Sequence, residues 1–220
     1  MRPTLLIADD HQLFAESLRS FLSPTYDVVG IAANGRELTE LAVRLKPALI
    51  LTDLSMPLLN GLDAVQNLTA LGLHTKFVVL TMHVDMSLAV QVFRAGASAF
   101  VLKTAHGKEL KEALLAVYRG GHYLSPQFPC DLVTVLAEAA RRPLVDKVPQ
   151  LTPRQREVLQ LVAEGKTMKE VASQLKISTR TAESYKYHLM NVLGIRTTAE
   201  PVQHAIKIGL ITVKPLDTAV

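Results

Sequence analysis

Short apolar runs alternate with amphipathic segments through the first 103 residues of this chain. Five runs, at residues 4–8, 26–32, 48–52, 76–81 and 99–102, have the length of strands and lack helical spacing. The segments between them carry apolar side chains at intervals of three and four residues. This alternation predicts an α/β domain with a five-stranded, parallel, doubly wound sheet and helices on both faces.

The pattern changes after Gly120 and Gly121. Residues 122–149 contain four prolines, and we expect them to form a linker that includes one helix, near residues 131–141. From residue 151 onward the pattern is purely helical. The sequence therefore predicts an α/β domain at residues 1–121, the linker, and a small all-α domain at residues 150–220.

Capping signals predict where the C-terminal helices begin and end. Thr152 and Thr167 each stand three residues before a Gln or a Glu, which is typical of a capping box. Ser178 would cap a third helix that ends at Gly194, and a fourth helix would start near Thr198.

Positive charge is concentrated in the C-terminal third of the chain. Residues 1–142 hold 13 Lys and Arg against 13 Asp and Glu, whereas residues 143–220 hold 11 against 7. An excess of cations in one region favours an anionic partner such as nucleic acid. The single cysteine, Cys130, rules out a disulfide within the chain, and no apolar run is long enough for a membrane span. We therefore expect a cytoplasmic protein that does not enter the membrane.

Polar residues with a common chemistry follow the predicted strands. Asp9 and Asp10 follow the first strand, Asp53 follows the third, Thr81 ends the fourth and Lys103 follows the fifth. The carboxyl ends of parallel strands meet at one edge of a sheet, so these side chains should converge. Clustered carboxylates repel one another unless a cation lies among them, and oxygen ligands of this kind suit Mg²⁺. A carboxylate beside Mg²⁺ can attack a phosphoryl group.

This constellation resembles the receiver domain of two-component response regulators. The resemblance rests on the acidic pair, on the segment from Asp53 through Pro57 with Gly61 after it, and on the block from Gly96 to Lys103. It implies that Asp53 accepts the phosphoryl group, and that Asp9, Asp10, Asp53 and the Ser55 carbonyl hold Mg²⁺, with Asp9 acting largely through water.

The same resemblance implies a conformational switch. Lys103 would pair with the phosphoryl oxygens, Thr81 would move to bind the phosphate, and Phe100 would turn inward to fill the vacated space. Ser55 and His83 occupy the positions that tune the lifetime of the phosphate in the family.

The C-terminal block, over roughly residues 151–210, resembles the LuxR-type helix-turn-helix of the NarL/FixJ regulators. A helix at residues 167–175 would cross the DNA backbone, and one at residues 179–193 would enter the major groove. Helical spacing places Ala182, Tyr185 and Leu189 inward. The outward positions near the start of the second helix are expected to meet base edges: Glu183, Ser184 and Tyr187. The expected phosphate contacts are Lys166, Lys169, Thr179, Arg180, Thr181 and Lys186.

Together the two resemblances imply a transcriptional regulator rather than an enzyme. A sensor histidine kinase would phosphorylate Asp53, and the active protein, as a homodimer, would bind double-stranded promoter DNA. RNA polymerase is left open as a further partner. This chain departs from the family pattern at Pro201, where an apolar residue such as Leu is usual in the family.

Other functions fit parts of the pattern. A dinucleotide-binding fold would have a Gly-rich loop where Asp9 and Asp10 stand, and a P-loop would have Gly where Gln160 stands. An aspartate-nucleophile phosphatase would have a second Asp at the position of Ser55. A DNA-binding regulator that works without phosphorylation stays open.

Overall fold

The computed structural model describes residues 2–82, 84–140, 151–194 and 200–207. The chain forms two compact units, Met1–Pro143 and Leu144–Val220. Predictions about His83, the 141–150 stretch and the start of the last helix near Thr198 lie outside the described residues. No helix in the described ranges is long and apolar enough to cross a membrane.

The first unit is built on a parallel sheet in which every described strand pairing is parallel. The strands are β1 (Thr4–Ala8), β2 (Asp27–Ala32), β3 (Leu49–Asp53), β4 (Lys76–Thr81), β5 (Ala99–Leu102) and β6 (Tyr123–Leu124), in the spatial order β2-β1-β3-β4-β5-β6. The helices between and after them are α1 (Gln12–Leu22), α2 (Gly35–Leu45), α3 (Gly61–Ala70), α4 (Met86–Arg94), α5 (Gly107–Tyr118) and α6 (Leu132–Ala140). The predicted α/β class with a parallel sheet is confirmed.

The prediction of five strands is corrected to six. Tyr123 and Leu124 pair with Ala99 and Phe100 at the edge of the sheet, beside β5. The strand is only two residues long, and it follows a Gly-Gly pair of the kind that commonly separates secondary-structure elements. An apolar run of this length carries no periodicity, so only its tertiary pairing identifies it.

Apolar side chains cover both faces of this sheet. One buried cluster includes Leu6, Ile50 and Phe100 and packs under α2, α3, α4 and α6. The other includes Ile7 and Leu51 and packs under α1 and α5. Neighbouring residues of one strand therefore serve opposite faces, as the pleat of a strand requires.

Helix α6 packs against α4, within the first unit. The Arg94 guanidinium at the end of α4 donates to the carbonyls of Glu138, at 3.1 Å, and Ala139, at 3.3 Å. Val135 of α6 is fully buried in the larger cluster. Cations near the C-terminus of a helix satisfy its last carbonyls, so Arg94 anchors the end of α6.

The second unit is all-helical over its described residues. Its helices are α7 (Pro153–Ala163), α8 (Met168–Leu175), α9 (Thr179–Leu193) and α10 (Glu200–Lys207). Thr152 and Thr167 form the predicted capping boxes. Ser178 caps α9 by accepting from the Thr181 N–H, and Gly194 ends that helix with φ 66°. A small core of Leu159, Leu189 and Ala205 joins α7, α9 and α10.

Pro201 is the second residue of α10 and is buried. The first four N–H groups of a helix have no partner within the helix, so a proline there removes no intrahelical hydrogen bond. The departure at this position is therefore compatible with the helix that carries it.

Gly61 supplies a stability test of the edge where β3 ends. A Cβ built on Gly61 would lie 2.1 Å from the Asp53 carbonyl oxygen, whereas one on Gly72, with φ +70°, would meet nothing within 4 Å. We expect Gly61→Ala to cost about 3 kcal/mol or more through overpacking, and Gly72→Ala about 1 kcal/mol through backbone strain alone. Urea unfolding of the two variants measures the difference. Equal costs would contradict the close approach of α3 to β3.

Candidate functional site

Four strands of the sheet end at one edge and carry the predicted site residues to it. Asp9 follows β1, Asp53 ends β3, Thr81 ends β4 and Lys103 follows β5. Asp9, Asp53 and Thr81 are buried, with 1%, 4% and 1% of their surfaces exposed. The predicted convergence is therefore what the structure shows.

Lys103 joins two of the carboxylates. Its Nζ lies 2.7 Å from Asp9 Oδ2 and 2.7 Å from Asp53 Oδ2. The ammonium also lies 5.1 Å from the centre of the Phe14 ring, on α1. A cation placed between two buried carboxylates offsets their repulsion, so the lysine stabilises the resting site.

The electrostatics of Asp53 reflect its burial. Desolvation raises the pKa of Asp53 from 3.8 to about 6, although the Lys103 ammonium and the Ser55 N–H lower it. Asp9 adds to the rise, because it repels a second negative charge. Burial by itself lowers the pKa of Lys103, but Asp53 and Asp9 more than offset this and raise it above its ordinary value. One lysine therefore does not fully compensate the carboxylates around it.

The loop after Asp53 is held close to the sheet. Leu54 donates its N–H to Leu80 of β4 at 2.9 Å, and Gly61 donates its N–H back to Leu54 at 2.8 Å. Asn60 caps α3 by accepting from the Asp63 N–H at 2.8 Å. Leu58 lies in the left-handed region with φ 68°, where the chain reverses. These contacts place Asp53 at a fixed point of the edge.

Asp9, Asp10, His11 and Asp53 offer ligand atoms that all lie within 4.8 Å of one another. Oxygen ligands at this spacing suit Mg²⁺, and three carboxylates so close together repel one another unless positive charge lies among them. The residues present therefore fit a divalent cation of this kind.

His11 is a member of this cluster that the sequence analysis missed. Its Nδ1 lies 3.2 Å from Asp9 Oδ1 and 3.0 Å from Asp10 Oδ1. The residue precedes the first turn of α1 but does not cap the helix with its side chain. Its position directly after two acids was the available signal.

Ser55, Thr81 and Phe100 are the remaining residues predicted to act in the receiver. Ser55 is half-buried, and its backbone N–H bonds to the Asp53 carboxylate. The Thr81 carbonyl accepts from the Lys103 N–H at 2.7 Å. Phe100 is fully buried, and its ring lies 5.2 Å from that of Phe128. Their roles in binding and switching stay predictions.

The residues predicted to contact DNA all lie in the second unit on α8, on α9 or just before α8. The exposed ones are Lys169, Arg180, Thr181, Glu183, Ser184 and Tyr187, and the half-buried ones are Lys166, Thr179 and Lys186. Ala182 and Leu189 are buried on the opposite side of α9. The Arg154 guanidinium of α7 donates to the Leu175 carbonyl at the end of α8, which fixes these helices together.

Two protein families match the two units of the chain. The response regulator receiver domain matches residues 5–115, and the luxR family of bacterial regulatory proteins matches residues 149–205. The chain belongs to the NarL/FixJ-type response regulators. The regulator is thus a receiver domain followed by a LuxR-type helix-turn-helix domain.

Known proteins match this chain over almost its whole length or over the receiver domain alone. The regulator is 33% identical to the oxygen regulatory protein NreC of Staphylococcus aureus over 213 residues, which cover 94% of this chain and 98% of NreC. It is 25% identical to RcsB of Salmonella enterica serovar Typhimurium bound to the promoter rprA with the phosphomimetic BeF₃⁻ (TM-score 0.59, covering 92% of this chain and 98% of RcsB). The signal receiver domain of NarL from Mycobacterium tuberculosis is 28% identical (TM-score 0.53, covering 54% and 98%).

A pH titration of stability tests the environment of Asp53. The pKa of this group is about 6 in the folded regulator against 3.8 ordinarily, so the unfolded chain loses the proton first as the pH rises. The contribution of Asp53 to stability is therefore greatest at low pH and falls between pH 4 and 6, by at most about 3 kcal/mol.

Urea unfolding from pH 4 to 6.5 with a chelator present, on wild type and Asp53→Asn, measures this effect. We expect wild type to lose stability relative to the variant across that range. The exposed Asp27→Asn variant serves as the control and should follow wild type. Parallel curves for wild type and Asp53→Asn would contradict a raised pKa.

Proposed function

We propose that a partner histidine kinase switches this regulator by transferring a phosphoryl group to Asp53. The observation that carries the proposal is the buried Asp53 carboxylate in contact with Lys103 and beside two further acids. An ordinary aspartate on a protein surface has neither a buried cation in contact with it nor a second carboxylate close enough to share a metal ion. The arrangement suits a carboxylate that acts as a nucleophile toward phosphorus.

The chemistry exchanges one bond to phosphorus for another. A carboxylate oxygen of Asp53 attacks the phosphorus atom, the P–N bond to the kinase imidazole breaks, and the ring nitrogen keeps the electron pair and takes up a proton. A bound Mg²⁺, held by Asp9, Asp10, Asp53 and the Ser55 carbonyl, would neutralise charge on the phosphoryl oxygens.

Lys103 and Thr81 act on the product. The ammonium group of Lys103 is already within hydrogen-bond distance of Asp53 and needs only a short movement to pair with a phosphoryl oxygen. The Thr81 side chain, at the adjacent strand end, supplies a hydroxyl donor from β4. Movement of Thr81 toward the phosphate then changes the space available to Phe100 on β5. The conformation of the receiver surface around these residues changes as a result.

A cavity beside Lys103 supports approach by a protein donor. Its volume is about 230 Å³, and it is lined by Phe14 and Phe21 of α1, Ala105 after β5, and Gly107 and Leu110 of α5. An apolar side chain of the donor can enter this cavity while the donor histidine reaches Asp53.

The helix-turn-helix domain then binds promoter DNA through α9. Glu183, Ser184 and Tyr187, which are exposed, would meet base edges, and the cations around α8 and α9 would meet phosphates. The similarity to RcsB, whose structure bound to a promoter is known, supports this step. A structure of two RcsB dimers bound to two parallel DNAs supports it as well (25% identity, TM-score 0.54, covering 94% of this chain and all of that one). We propose a homodimer as the DNA-bound form.

Phosphorylation is tested with acetyl phosphate and Mg²⁺, followed by intact-mass spectrometry. We expect one phosphate adduct on wild type and on Asp27→Asn, which removes an exposed aspartate, and none on Asp53→Asn. No adduct on wild type would leave a regulator that works without phosphorylation. An adduct on Asp53→Asn would move the acceptor to another residue.

DNA binding is tested by the salt dependence of affinity. Lys186→Ala should weaken binding to all sequences and reduce the slope of log affinity against log salt by about 1, since one phosphate contact is lost. Lys108→Ala removes an exposed lysine of the receiver and should leave both unchanged. An unchanged slope in Lys186→Ala would remove Lys186 from the phosphate contacts.

A further inference from the structure

Ser125 stands directly after β6 and is buried, with 1% of its surface exposed. Its hydroxyl accepts from the Leu102 N–H of β5 at 3.0 Å and donates to Glu109 Oε1 in the first turn of α5. Its own N–H donates to the Phe100 carbonyl at 3.1 Å. One side chain thus connects the end of β5 to the start of α5, from a segment that lies beyond the receiver family match, which ends at residue 115.

The hydroxyl completes the hydrogen bonding of β5 where its partner strand stops. In a longer parallel ladder, the Leu102 N–H would find a backbone carbonyl of β6. The chain turns away at this point, because Pro126 follows, and the Ser125 carbonyl instead accepts from the Phe128 N–H at 3.1 Å. A serine hydroxyl has one donor and two acceptor positions, so it can serve Leu102 and Glu109 together.

Leu102 immediately precedes the lysine of the phosphoacceptor site. The Lys103 N–H is held by the Thr81 carbonyl at 2.7 Å, and the Leu102 N–H is held by Ser125. These two hydrogen bonds hold the backbone from which the Lys103 side chain reaches Asp9 and Asp53, each at 2.7 Å. An ammonium shared between two carboxylates keeps both distances only if its backbone does not shift.

We propose that Ser125 is a positioning residue for phosphoryl transfer, acting through Leu102 on Lys103. The inference rests on the proposed function, in which Lys103 pairs with the phosphoryl oxygens. Loss of the hydroxyl leaves the buried Leu102 N–H without its acceptor and removes one of two donors to the Glu109 carboxylate, so the end of β5 relaxes. The lysine then meets the developing phosphoryl charge from a displaced position, and the rate of transfer falls.

The test uses the full chain with Ser125→Ala, Ser125→Thr and Gln127→Ala. Gln127 donates to the same Glu109, at 3.3 Å, but within the part of the chain that the structure describes it makes no hydrogen bond to β5, so its removal is the matched control. Acetyl phosphate and Mg²⁺ supply the phosphoryl group, and intact-mass spectrometry follows the rates at which Asp53 gains and loses it. All rates are measured at least 20 °C below the melting temperature of each variant and are expressed per folded molecule.

We expect Ser125→Ala to slow phosphorylation about tenfold and to change the lifetime of the phosphate. Ser125→Thr, which restores the hydroxyl, should return the rate to within about twofold of wild type, and Gln127→Ala should match wild type. If Ser125→Ala does not fold, Ser125→Cys takes its place, because a thiol has similar size and is a weak acceptor. A reduced rate in that variant supports the proposal.

This design distinguishes failure of the inference about Ser125 from failure of the proposed function. A wild-type rate per folded molecule in Ser125→Ala or Ser125→Cys, even with a lowered melting temperature, shows a structural role only and overturns the inference while the proposed function stands. Failure of wild type itself to take up phosphate on Asp53 overturns the proposed function. Failure of Ser125→Thr to recover the rate also counts against the inference, since the hydroxyl is then not the group that matters.

Discussion

The ammonium group of Lys103 is the interaction on which the functional edge of the receiver depends. Asp9 and Asp53 are almost completely buried, and each carboxylate lies 2.7 Å from the same nitrogen. Removal of that cation would leave two buried negative charges side by side, a situation that proteins relieve by protonation, by binding a cation or by unfolding. The strand ends, the loop held by Gly61 and the packing of β5 all serve to keep this arrangement together.

The compensation is incomplete, and this matters for function. One positive charge serves two buried carboxylates, with a third, Asp10, nearby. Burial, with a smaller contribution from Asp9, keeps the pKa of Asp53 raised in spite of Lys103. A site of this kind gains stability from a divalent cation and from any rearrangement that spreads the negative charge. Transfer of a phosphoryl group, as proposed, would add negative charge at the same point and would change the interactions among Lys103, a bound cation and the neighbouring strand ends.

Much of this site was predictable because its chemistry sits at strand ends. Asp9, Asp53 and Lys103 follow apolar runs whose parallel arrangement brings them to one edge, and the caps at Thr167 and Ser178 act within a few residues of sequence. The missed features depend on tertiary contacts. Strand β6 is too short for a periodic signal, and Ser125 reaches Leu102 across 23 positions of chain. An isolated serine carries no pattern that predicts such a partner.

Recombination between regulators of this type has a natural junction after Ala140 rather than after Gly121. The segment between them supplies a strand beside β5, the Phe128 ring against Phe100 and a helix whose end is bound by Arg94. A hybrid joined at residue 121 would place a foreign strand and helix on surfaces shaped for the native ones. A hybrid joined after residue 140 would keep β6 paired with β5 and α6 packed against α4. The complete receiver would then be joined to its new DNA-binding domain.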